Sequence, residues 1–364
     1  MKLNEAFIRR LPKVLLHDHL DGGLRPNTIV ELAKDVKYKK LPTQDPGELQ
    51  EMINAAAKRG SLPLYLEGFK HTCGVMQTEE ALERVAYEMM EDMKNDGVVY
   101  IETRFAPVLH TSKKLHWENV VSAVLHGLER GKKDFGVEYG LIICAMRNMQ
   151  ISQEMAELAV DFRERGVVGF DLAGEEGGYP PKKHVDAFHY IQRTNFNITI
   201  HAGEAFGKES IWQAIQWCGA HRIGHAVRLI EDITVEDDDP MSISNMGYLA
   251  QYVLDKRLPL EICLTSNVDT RSVKSYESHP FGLYYKYKFR VTLNTDNRLM
   301  SNTTQTKEYK IAQDIFKLSI DDLEKLTLNG MKSAFQPYKK RIELIYNVIK
   351  PGYKKAKHAL NRKK

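Results

Sequence analysis

Two histidines separated by one residue are the first candidates for chemistry in this sequence. His17 and His19 lie in "LLHDHLDGG", residues 15–23, where a short apolar run ends in an acidic residue and two glycines. Side chains on a strand alternate between its two faces, so both imidazoles point to the same side. Two imidazoles placed in this way can share one metal ion, although an isolated His-x-His pair also occurs by chance in many chains.

Polar side chains at the ends of later apolar runs extend this pair to a candidate metal site. "HAGE", "RIGH" and "NTDN" supply two more histidines, a glutamate and an aspartate. The predicted ligands of one Zn²⁺ or a similar divalent ion are His17, His19, His201 and Asp296. A position stays open for water, whose pKa such an ion lowers. Glu204 is placed to carry a proton and His225 to orient the water, so the set predicts hydrolytic chemistry.

Eight β-rich runs must bring these side chains together. They alternate with amphipathic stretches such as 80–96 and 153–166, and their continuous apolar character is typical of parallel strands buried on both faces. The runs are 13–19, 98–105, 140–146, 167–174, 197–203, 222–227, 258–267 and 289–297. They predict a single (β/α)8 barrel of the TIM type, with the candidate residues at the carboxyl ends of its strands. An open doubly wound sheet is less favoured because no Gly-x-Gly-x-x-Gly loop follows the first run.

The segments around these runs complete the predicted architecture. The long interval between the first two runs contains several helix-like pieces, which we expect to form an insertion over the mouth of the barrel. The segment after residue 305 predicts terminal helices that pack on the outside of the barrel. We therefore expect one metal-dependent domain over residues 1–350 and a basic tail over residues 351–364, with the tail solvated and frayed.

Charge and cysteine content limit the partners and the location. The chain has 364 residues and a formal net charge of only +4, which argues against nucleic acid as the main partner. Its four cysteines lie far apart without a C-x-x-C motif, which indicates reduced thiols and a cytoplasmic location. Charges interrupt every apolar stretch near the N-terminus, and no apolar run reaches the length of a membrane span. We therefore expect neither a signal peptide nor a membrane partner.

Five motifs follow one another along the chain: H-D-H-L-D-G, V-G-F-D-L-A-G-E-E, H-A-G-E, R-I-G-H and N-T-D. Together they resemble the adenosine deaminase family, within the metal-dependent amidohydrolase superfamily, over roughly residues 8–345. The resemblance implies a metal-centred (β/α)8 barrel with one Zn²⁺ as cofactor and a purine nucleoside as small-molecule partner. It also implies hydrolytic deamination of adenosine, and of 2'-deoxyadenosine, with release of ammonia.

The resemblance further implies roles for individual residues, with the four ligands named above holding the zinc. Glu204 would protonate N1 of the purine, and His225 would hold the attacking hydroxide. Gly174 would offer its backbone N–H to purine N3, since a glycine lets the backbone approach a ligand closely. Among the substrate contacts, His19 would serve the nucleoside as well as the metal, and Asp21 would hydrogen-bond the ribose.

Two positions bear on the choice of substrate. Related adenine-type and aminofutalosine-type deaminases usually have Glu at the position of Asp21, so Asp21 favours a nucleoside over a free base. The alternative is that Asp21 only caps the following turn. Asn297 stands where the family often has a second Asp that contacts purine N7. An amide can donate to N7 directly, whereas a carboxylate must first be protonated, so we expect Asn297 to keep this contact with altered affinity or base preference.

An apolar stripe in the insertion has two interpretations. Leu62, Tyr65, Leu66 and Phe69 have the i, i+3, i+4, i+7 spacing of one helix face. Such a stripe usually belongs to a core. The family resemblance places a lid helix here, whose apolar residues line the nucleoside pocket, and the two interpretations are compatible.

Two alternative functions stay open. One is deamination of a related 6-aminopurine, such as a modified adenosine, adenine or an aminofutalosine-like nucleoside. The other is a catalytically inactive ligand-binding relative, although every proposed ligand and proton carrier is present in the chain. The remaining histidines are interpreted as surface, packing or structural residues; they are His71, His110, His116, His126, His184, His189, His221, His279 and His358.

Overall fold

The strands follow the predicted alternation with helices. A computed structural model describes residues 3–362, and over that range it contains ten strands. They are β1 (Lys13–His19), β2 (Val98–Phe105), β3 (Glu138–Met146), β4 (Val167–Ala173), β5 (Thr199–Ala202), β6 (Arg222–His225), β7 (Ile233–Val235), β8 (Ile243–Met246), β9 (Pro259–Ile262) and β10 (Arg290–Leu293). Each of the eight apolar runs of the sequence overlaps one of these strands.

Eight of the strands form two parallel four-stranded sheets, in the orders β1-β2-β3-β4 and β10-β9-β6-β5. Single parallel bridges join the two sheets, between Asp18 and Asp296 on one side and between Phe170 and Ile198 on the other. The two remaining strands, β7 and β8, pair as an antiparallel hairpin. The molecule is thus an α/β fold built on parallel sheets.

The helices lie between and after the strands. Those of the described residues are α1 (Glu5–Arg9), α2 (Pro26–Asp35), α3 (Pro46–Ala57), α4 (Leu62–Leu66), α5 (Phe69–Val75), α6 (Glu79–Asn95), α7 (Trp117–Phe135), α8 (Ser152–Asp161), α9 (Val185–Arg193), α10 (Lys208–Gln216), α11 (Tyr248–Asp255), α12 (Leu264–Asp269), α13 (Phe281–Lys286), α14 (Gln305–Phe316), α15 (Ile320–Ser333), α16 (Tyr338–Leu344) and α17 (Lys350–Asn361). A π-helical turn over Ile345–Ile349 joins the last two. None of them is both long and apolar enough to cross a membrane.

The strands are buried because helices cover them. Every residue of β1 is buried, which explains why its sequence lacks the polar alternation of a strand with one wet face. The helices turn apolar stripes inward and end where the sequence provides caps. In α6, for example, the side chain of Thr78 accepts the backbone N–H of Ala81 at 3.3 Å, while Met89 and Met90 are buried in the core.

The structure corrects two expectations. The strand predicted over 258–267 ends at Ile262, and α12 begins at Leu264. This helical turn brings Ser266 and Asn267 to the ends of the other strands, where Ser266 donates to Asp296 and Asn267 donates to His225. The expected frayed tail is wrong as far as Asn361, since residues 350–361 form α17. Tyr353 anchors this helix, with a fully buried ring and a hydroxyl 2.9 Å from Thr327 Oγ1. Residues 363 and 364 of the predicted tail lie outside the described range, and the division at residue 350 stays a prediction.

Candidate active site

The carboxylate of Asp296 lies between the two histidines of β1. The His19 N–H donates to the Asp296 carbonyl, and the Asp296 N–H donates to the His17 carbonyl, both at 2.9 Å. This pairing sets Asp296 Oδ1 at 3.4 Å from Nε2 of both imidazoles. The other carboxylate oxygen, Oδ2, accepts the Ser266 hydroxyl at 2.6 Å, so the orientation of the carboxylate is fixed.

Strands β5 and β6 bring two more histidines to the same place. His201 and His225, together with His17 and Asp296, have ligand atoms that all lie within 4.8 Å of one another. His19 joins them, with its Nε2 at 3.1 Å from Nε2 of His201. The structure therefore brings together all four predicted metal ligands and His225. We call the four side chains His17, His19, His201 and Asp296 the active-site cluster.

Hydrogen bonds behind the imidazoles set the protonation of two of them. His17 Nδ1 lies 2.8 Å from a Glu261 carboxylate oxygen, and His201 Nδ1 lies 3.0 Å from an Asp171 oxygen. A carboxylate accepts, so each Nδ1 carries a proton and each Nε2 presents a lone pair to the cluster. His17 Nε2 is buried and has no hydrogen-bond partner within the described structure.

The atoms that face one another in the cluster suit a cation. Burial lowers the pKa of His19 to about 3 and also lowers the pKa of His201, so both imidazoles are neutral. An N–H at His19 Nε2 satisfies at most one of its two neighbours, His201 Nε2 at 3.1 Å and Asp296 Oδ1 at 3.4 Å, and His17 Nε2 stays without a hydrogen-bond partner among the described residues. Three imidazoles and one carboxylate are ligands that a divalent metal ion accepts, so the residues present fit the metal site that the sequence predicts.

A buried arginine connects the two carboxylates behind the histidines. Arg104, on β2, donates to Asp171 at 3.0 Å and to Glu261 at 2.9 Å. Arg222 adds a second donor to Glu261 at 2.6 Å. Burial alone would raise the pKa of Glu261, but the two guanidinium groups hold it well below its usual value. The histidines are therefore backed by charged carboxylates, which orient the rings and increase their basicity toward a metal.

His225 differs from the ligand histidines because a chain of hydrogen bonds gives it the opposite tautomer. The Phe281 N–H donates to His279 Nδ1 at 3.0 Å, so His279 bears its proton on Nε2 and donates to Asn267 Oδ1 at 3.2 Å. The Asn267 amide then donates to His225 Nδ1 at 3.0 Å. His225 Nε2 consequently carries the ring proton and faces Glu204 Oε2 at 3.6 Å. His225 is thus a hydrogen-bond donor in the site, whereas His17 and His201 are acceptors.

The backbone is strained at these strand ends. His225, Ala226 and Asp296 have φ of +64°, +53° and +58°, a left-handed conformation that is uncommon for residues other than glycine. Such strain persists only where the surrounding structure fixes it, and it concentrates at functional sites. Here it turns the side chains of His225 and Asp296 into the cluster at the point where each strand ends.

Glu204 is held in place by a second glutamate. The Glu176 carboxylate accepts the backbone N–H groups of Gly203, Glu204, Ala205 and Phe206 at 2.6–3.0 Å. These bonds fix the turn that follows β5. Burial, followed by the negative charges of Asp296 and Glu176, raises the pKa of Glu204 well above 4.5. Its Oε1 atom is buried without a hydrogen-bond partner among the described residues. Glu204 is thus an acid poised to give a proton to a ligand.

The predicted substrate contacts lie around the cluster. Asp21 is buried in a 3-10 turn, Leu20–Gly22, directly after β1. Gly174 follows β4 with φ of +101°, which glycine adopts without the steric cost of a Cβ. Asn297 is buried, and its Oδ1 has no hydrogen-bond partner in residues 3–362. Gly22 packs so closely on Asn297 that a Cβ there would overlap Oδ1.

The apolar stripe of the insertion lies near the cluster at one end. Phe69, the first residue of α5, stands edge-on to His19, with ring centroids 6.3 Å apart. Tyr65 is buried on α4, and its hydroxyl lies 2.9 Å from Ser301 Oγ. Leu62 is buried and Leu66 partly buried on the same short helix. Phe69 thus stands beside the cluster, and Tyr65 and Leu62 are buried as the core interpretation requires, while the lid interpretation stays a prediction.

Sequence reasoning missed the residues that support the site. They are Arg104, Asp171, Glu176, Glu261, Asn267 and His279. A signal was available for three of them, because a charged residue inside an otherwise apolar strand must find a buried partner. Arg104, Asp171 and Glu261 all stand in such strands. The partners could not be chosen, since they lie far apart in sequence.

Comparisons with known proteins agree with this geometry. Residues 12–351 match the family model described as "Adenosine deaminase". A curated relative, adenosine deaminase 1 of Streptomyces coelicolor, is 53% identical and covers 96% of this chain and 89% of its own. Among solved structures, adenine deaminase of Arthrobacter aurescens is 25% identical, with a TM-score of 0.80 and coverage of 92% of this chain and 97% of that chain. The N6-methyl-AMP deaminase of Arabidopsis thaliana is also 25% identical, with a TM-score of 0.78 and coverage of 94% and 97%. The chain belongs to the adenosine deaminase family.

Proposed function

We propose that this protein is a hydrolase that deaminates adenosine, and also 2'-deoxyadenosine, to the corresponding inosine nucleoside and ammonia. The observation that carries the proposal is the arrangement of an acid, Glu204, and a hydrogen-bond donor, His225, beside the four side chains of the active-site cluster. Relatives that are about half identical over nearly the whole chain and are named adenosine deaminase support the choice of substrate.

The proposal includes a closed (β/α)8 barrel. The bridges between Asp18 and Asp296 and between Phe170 and Ile198 support it, because they lie at both borders between the two sheets. In a closed barrel the carboxyl ends of the strands converge on one face. The cluster has this placement, since its residues stand in or directly after β1, β5 and β10.

Zn²⁺ is the ion that we propose for the active-site cluster. When bound, a divalent ion supplies a water molecule of lowered pKa as the nucleophile for purine C6. The chain's own contribution is to hold the ligands in one tautomer, with Glu261 behind His17 and Asp171 behind His201. Ser266 holds the Asp296 carboxylate from the other side.

Two residues handle the proton and the nucleophile. Glu204 delivers a proton to purine N1. The protonated N1 withdraws electrons from C6 and so makes this carbon reactive toward water. His225 donates from Nε2 and orients the attacking oxygen, because the Asn267 amide keeps its Nδ1 an acceptor. Addition of water to C6 and departure of the amino group as ammonia then leave the 6-oxo product.

The nucleoside itself is held by the surrounding residues. Asp21 binds the ribose, and His19 would contact the nucleoside as well as hold the metal. The Gly174 N–H donates to purine N3. Asn297, which is buried, contacts N7 by donating from its amide nitrogen. The substrate-facing side of the lid consists of Leu62, Tyr65, Leu66 and Phe69. A cytoplasmic location is part of the same proposal.

A substrate panel tests the proposal. The zinc-loaded enzyme is given adenosine, 2'-deoxyadenosine, adenine and N6-methyl-AMP, and the purine product is measured together with the released amine, which is ammonia or, from N6-methyl-AMP, methylamine. We expect conversion of the two nucleosides, little or none of the other compounds, and loss of conversion in Glu204→Gln. Faster conversion of adenine or N6-methyl-AMP than of adenosine would overturn the substrate assignment. A folded, zinc-loaded enzyme that converts none of them would overturn the reaction.

A further inference from the structure

A second group of ligand-type side chains lies next to the active-site cluster. Asp21, Cys73 and His110 have ligand atoms within 4.8 Å of one another, and we call these three residues the second cluster. They come from separate elements: Asp21 from the turn after β1, Cys73 from α5, and His110 from the 3-10 turn Pro107–His110 after β2. The mechanism uses only Asp21, so the other two residues need an explanation.

The imidazole of His110 presents a lone pair to this cluster. His110 Nδ1 lies 3.0 Å from the Met76 carbonyl oxygen, which can only accept, so Nδ1 carries a proton. Nε2 is then an acceptor, and it is fully buried without a hydrogen-bond partner within residues 3–362. It faces Asp21 Oδ2 at 3.5 Å, while Asp21 Oδ1 also lacks a partner there. Two buried acceptors that face each other in this way suit a cation bound between them.

The spacing of the three groups suits a metal ion. Nε2 of His110 and Sγ of Cys73 lie 3.5 Å and 3.8 Å from Asp21 Oδ2. Tetrahedral Zn²⁺ with bonds of about 2.0 Å to nitrogen and oxygen and about 2.3 Å to sulfur gives edges of about 3.3 Å and 3.5 Å. The observed separations are thus a few tenths of an ångström longer than those of a zinc site. The contact with His110 Nε2 is too long for a strong hydrogen bond, and the contact with Cys73 Sγ is the weak hydrogen bond of a thiol.

A glutamine holds the elements of the second cluster together. The Gln77 amide donates to the carbonyls of Cys73 at 2.6 Å and Leu109 at 2.9 Å, and its oxygen accepts from Ser112. The end of α5 is therefore tied to the turn that carries His110. Ligands that are positioned before the metal arrives lose less conformational freedom on binding.

We propose that the second cluster binds a thiophilic divalent cation such as Zn²⁺ or Cd²⁺, more weakly than the active-site cluster, and that this cation excludes the nucleoside. The exclusion rests on the proposed function, because it requires Asp21 to bind the ribose. High metal concentrations would then inhibit the enzyme through a site distinct from the one that supports catalysis.

The weaker affinity follows from the surroundings of the thiol. Desolvation and the charge of Asp21 raise the pKa of Cys73 well above 9.0, so a metal must displace a bound proton. Only a backbone carbonyl supports His110, whereas carboxylates support the histidines of the active-site cluster.

Cadmium titration of the holoenzyme tests the proposal. Enzyme loaded with one equivalent of Zn²⁺ is titrated with Cd²⁺, and the ultraviolet thiolate-to-Cd²⁺ charge-transfer absorption is recorded. The active-site cluster contains no cysteine, so this band reports the second cluster even if Cd²⁺ also replaces the zinc. Cys73→Ser and His110→Gln are the test variants, and Cys218→Ser, at a buried cysteine bonded to the Pro181 carbonyl, is the matched control.

We expect a saturable band in the parent and in Cys218→Ser, and no band in Cys73→Ser. Loss of an outer-shell partner alone weakens metal binding by about 10–100-fold, so His110→Gln should weaken Cd²⁺ at least about tenfold. A band that survives in Cys73→Ser, or an affinity unchanged in His110→Gln, would overturn the site. Inosine should compete with Cd²⁺ for the second cluster and thereby weaken the band. A band that inosine does not weaken would overturn the exclusion of the nucleoside. Failure of the enzyme to deaminate adenosine would instead concern only the proposed function.

Discussion

Two metal-ligand clusters begin on the same short stretch of chain and are supported differently. The active-site cluster takes His17 and His19 from β1, and the second cluster takes Asp21 from the turn two residues further on. In the active-site cluster, carboxylates stand behind His17 and His201, and Arg104 joins those carboxylates. In the second cluster, a single backbone carbonyl stands behind His110.

From this difference we expect the two clusters to bind a metal ion with different strength, although their ligands are similar. A carboxylate behind an imidazole fixes its tautomer and adds negative charge, so the ring becomes a stronger ligand. Burying that charge is unfavourable unless it is paired, and Arg104 and Arg222 supply the pairing. A carbonyl fixes the tautomer but adds no charge. We therefore expect a tightly held ion in the active-site cluster and an exchangeable ion in the second.

The largest effect should come from removing a ligand of the active-site cluster. Asp296→Ala deletes the one carboxylate that contacts both histidines of β1, and we expect kcat/KM for adenosine to fall by more than about 10³-fold. The zinc content of the purified variant, measured by atomic spectrometry, should fall as well. A variant that keeps its zinc and more than a tenth of the activity would show that Asp296 is not a ligand.

Glu204→Gln comes next, because it removes the acid and leaves the ligands in place. We expect kcat to fall by about 10²–10⁴-fold, the usual contribution of a general acid, while the zinc content is unchanged. Steady-state kinetics on adenosine, with the metal content as control, separates this effect from that of a lost ligand. Equal loss of zinc and activity would instead assign Glu204 to metal binding.

Asp171→Asn tests whether the support behind a histidine decides the strength of the site. Removing the negative charge of Asp171, which supports His201, should weaken Zn²⁺ binding by about 10–100-fold. Competition with a metal-chelating dye measures the affinity, and thermal unfolding checks that the protein remains folded without this partner of Arg104. Asp134→Asn, at an exposed position on α7, is the control. An unchanged affinity in Asp171→Asn would remove the basis for the difference between the clusters.

Asn267→Asp should have a smaller effect, confined to His225. A carboxylate at this position accepts only, so His225 Nδ1 must carry the proton and Nε2 loses its donor role. We expect kcat to fall about tenfold or more, with little change in KM. The ¹⁵N chemical shifts of the His225 ring report the tautomer directly. Shifts that match the parent, together with a lowered kcat, would contradict the hydrogen-bond chain that runs from Phe281 to His225.

The elements, and the side chains that the structure brings together at the strand ends, could be predicted from the sequence because both depend on local patterns. The run "KVLLHDH" coincides with β1, and His-x-His on one strand places both rings on the same side. The support behind the rings could not be predicted, since it depends on contacts such as that of Arg104 with Glu261, 157 residues away. The sequence predicts His110 only as a surface or packing residue. Its buried, unpartnered Nε2 could not be predicted, because it depends on the packing of α5 against the turn after β2.

One measurement tests the central claim, that the active-site cluster holds one divalent ion which the deamination of adenosine requires. Chelator-treated enzyme is titrated with Zn²⁺ while bound zinc and the conversion of adenosine to inosine are followed in the same samples. We expect activity to rise in proportion to bound zinc up to one equivalent, and no rise in Asp296→Ala. Full activity of the metal-free enzyme, or equal restoration in Asp296→Ala, would contradict the claim.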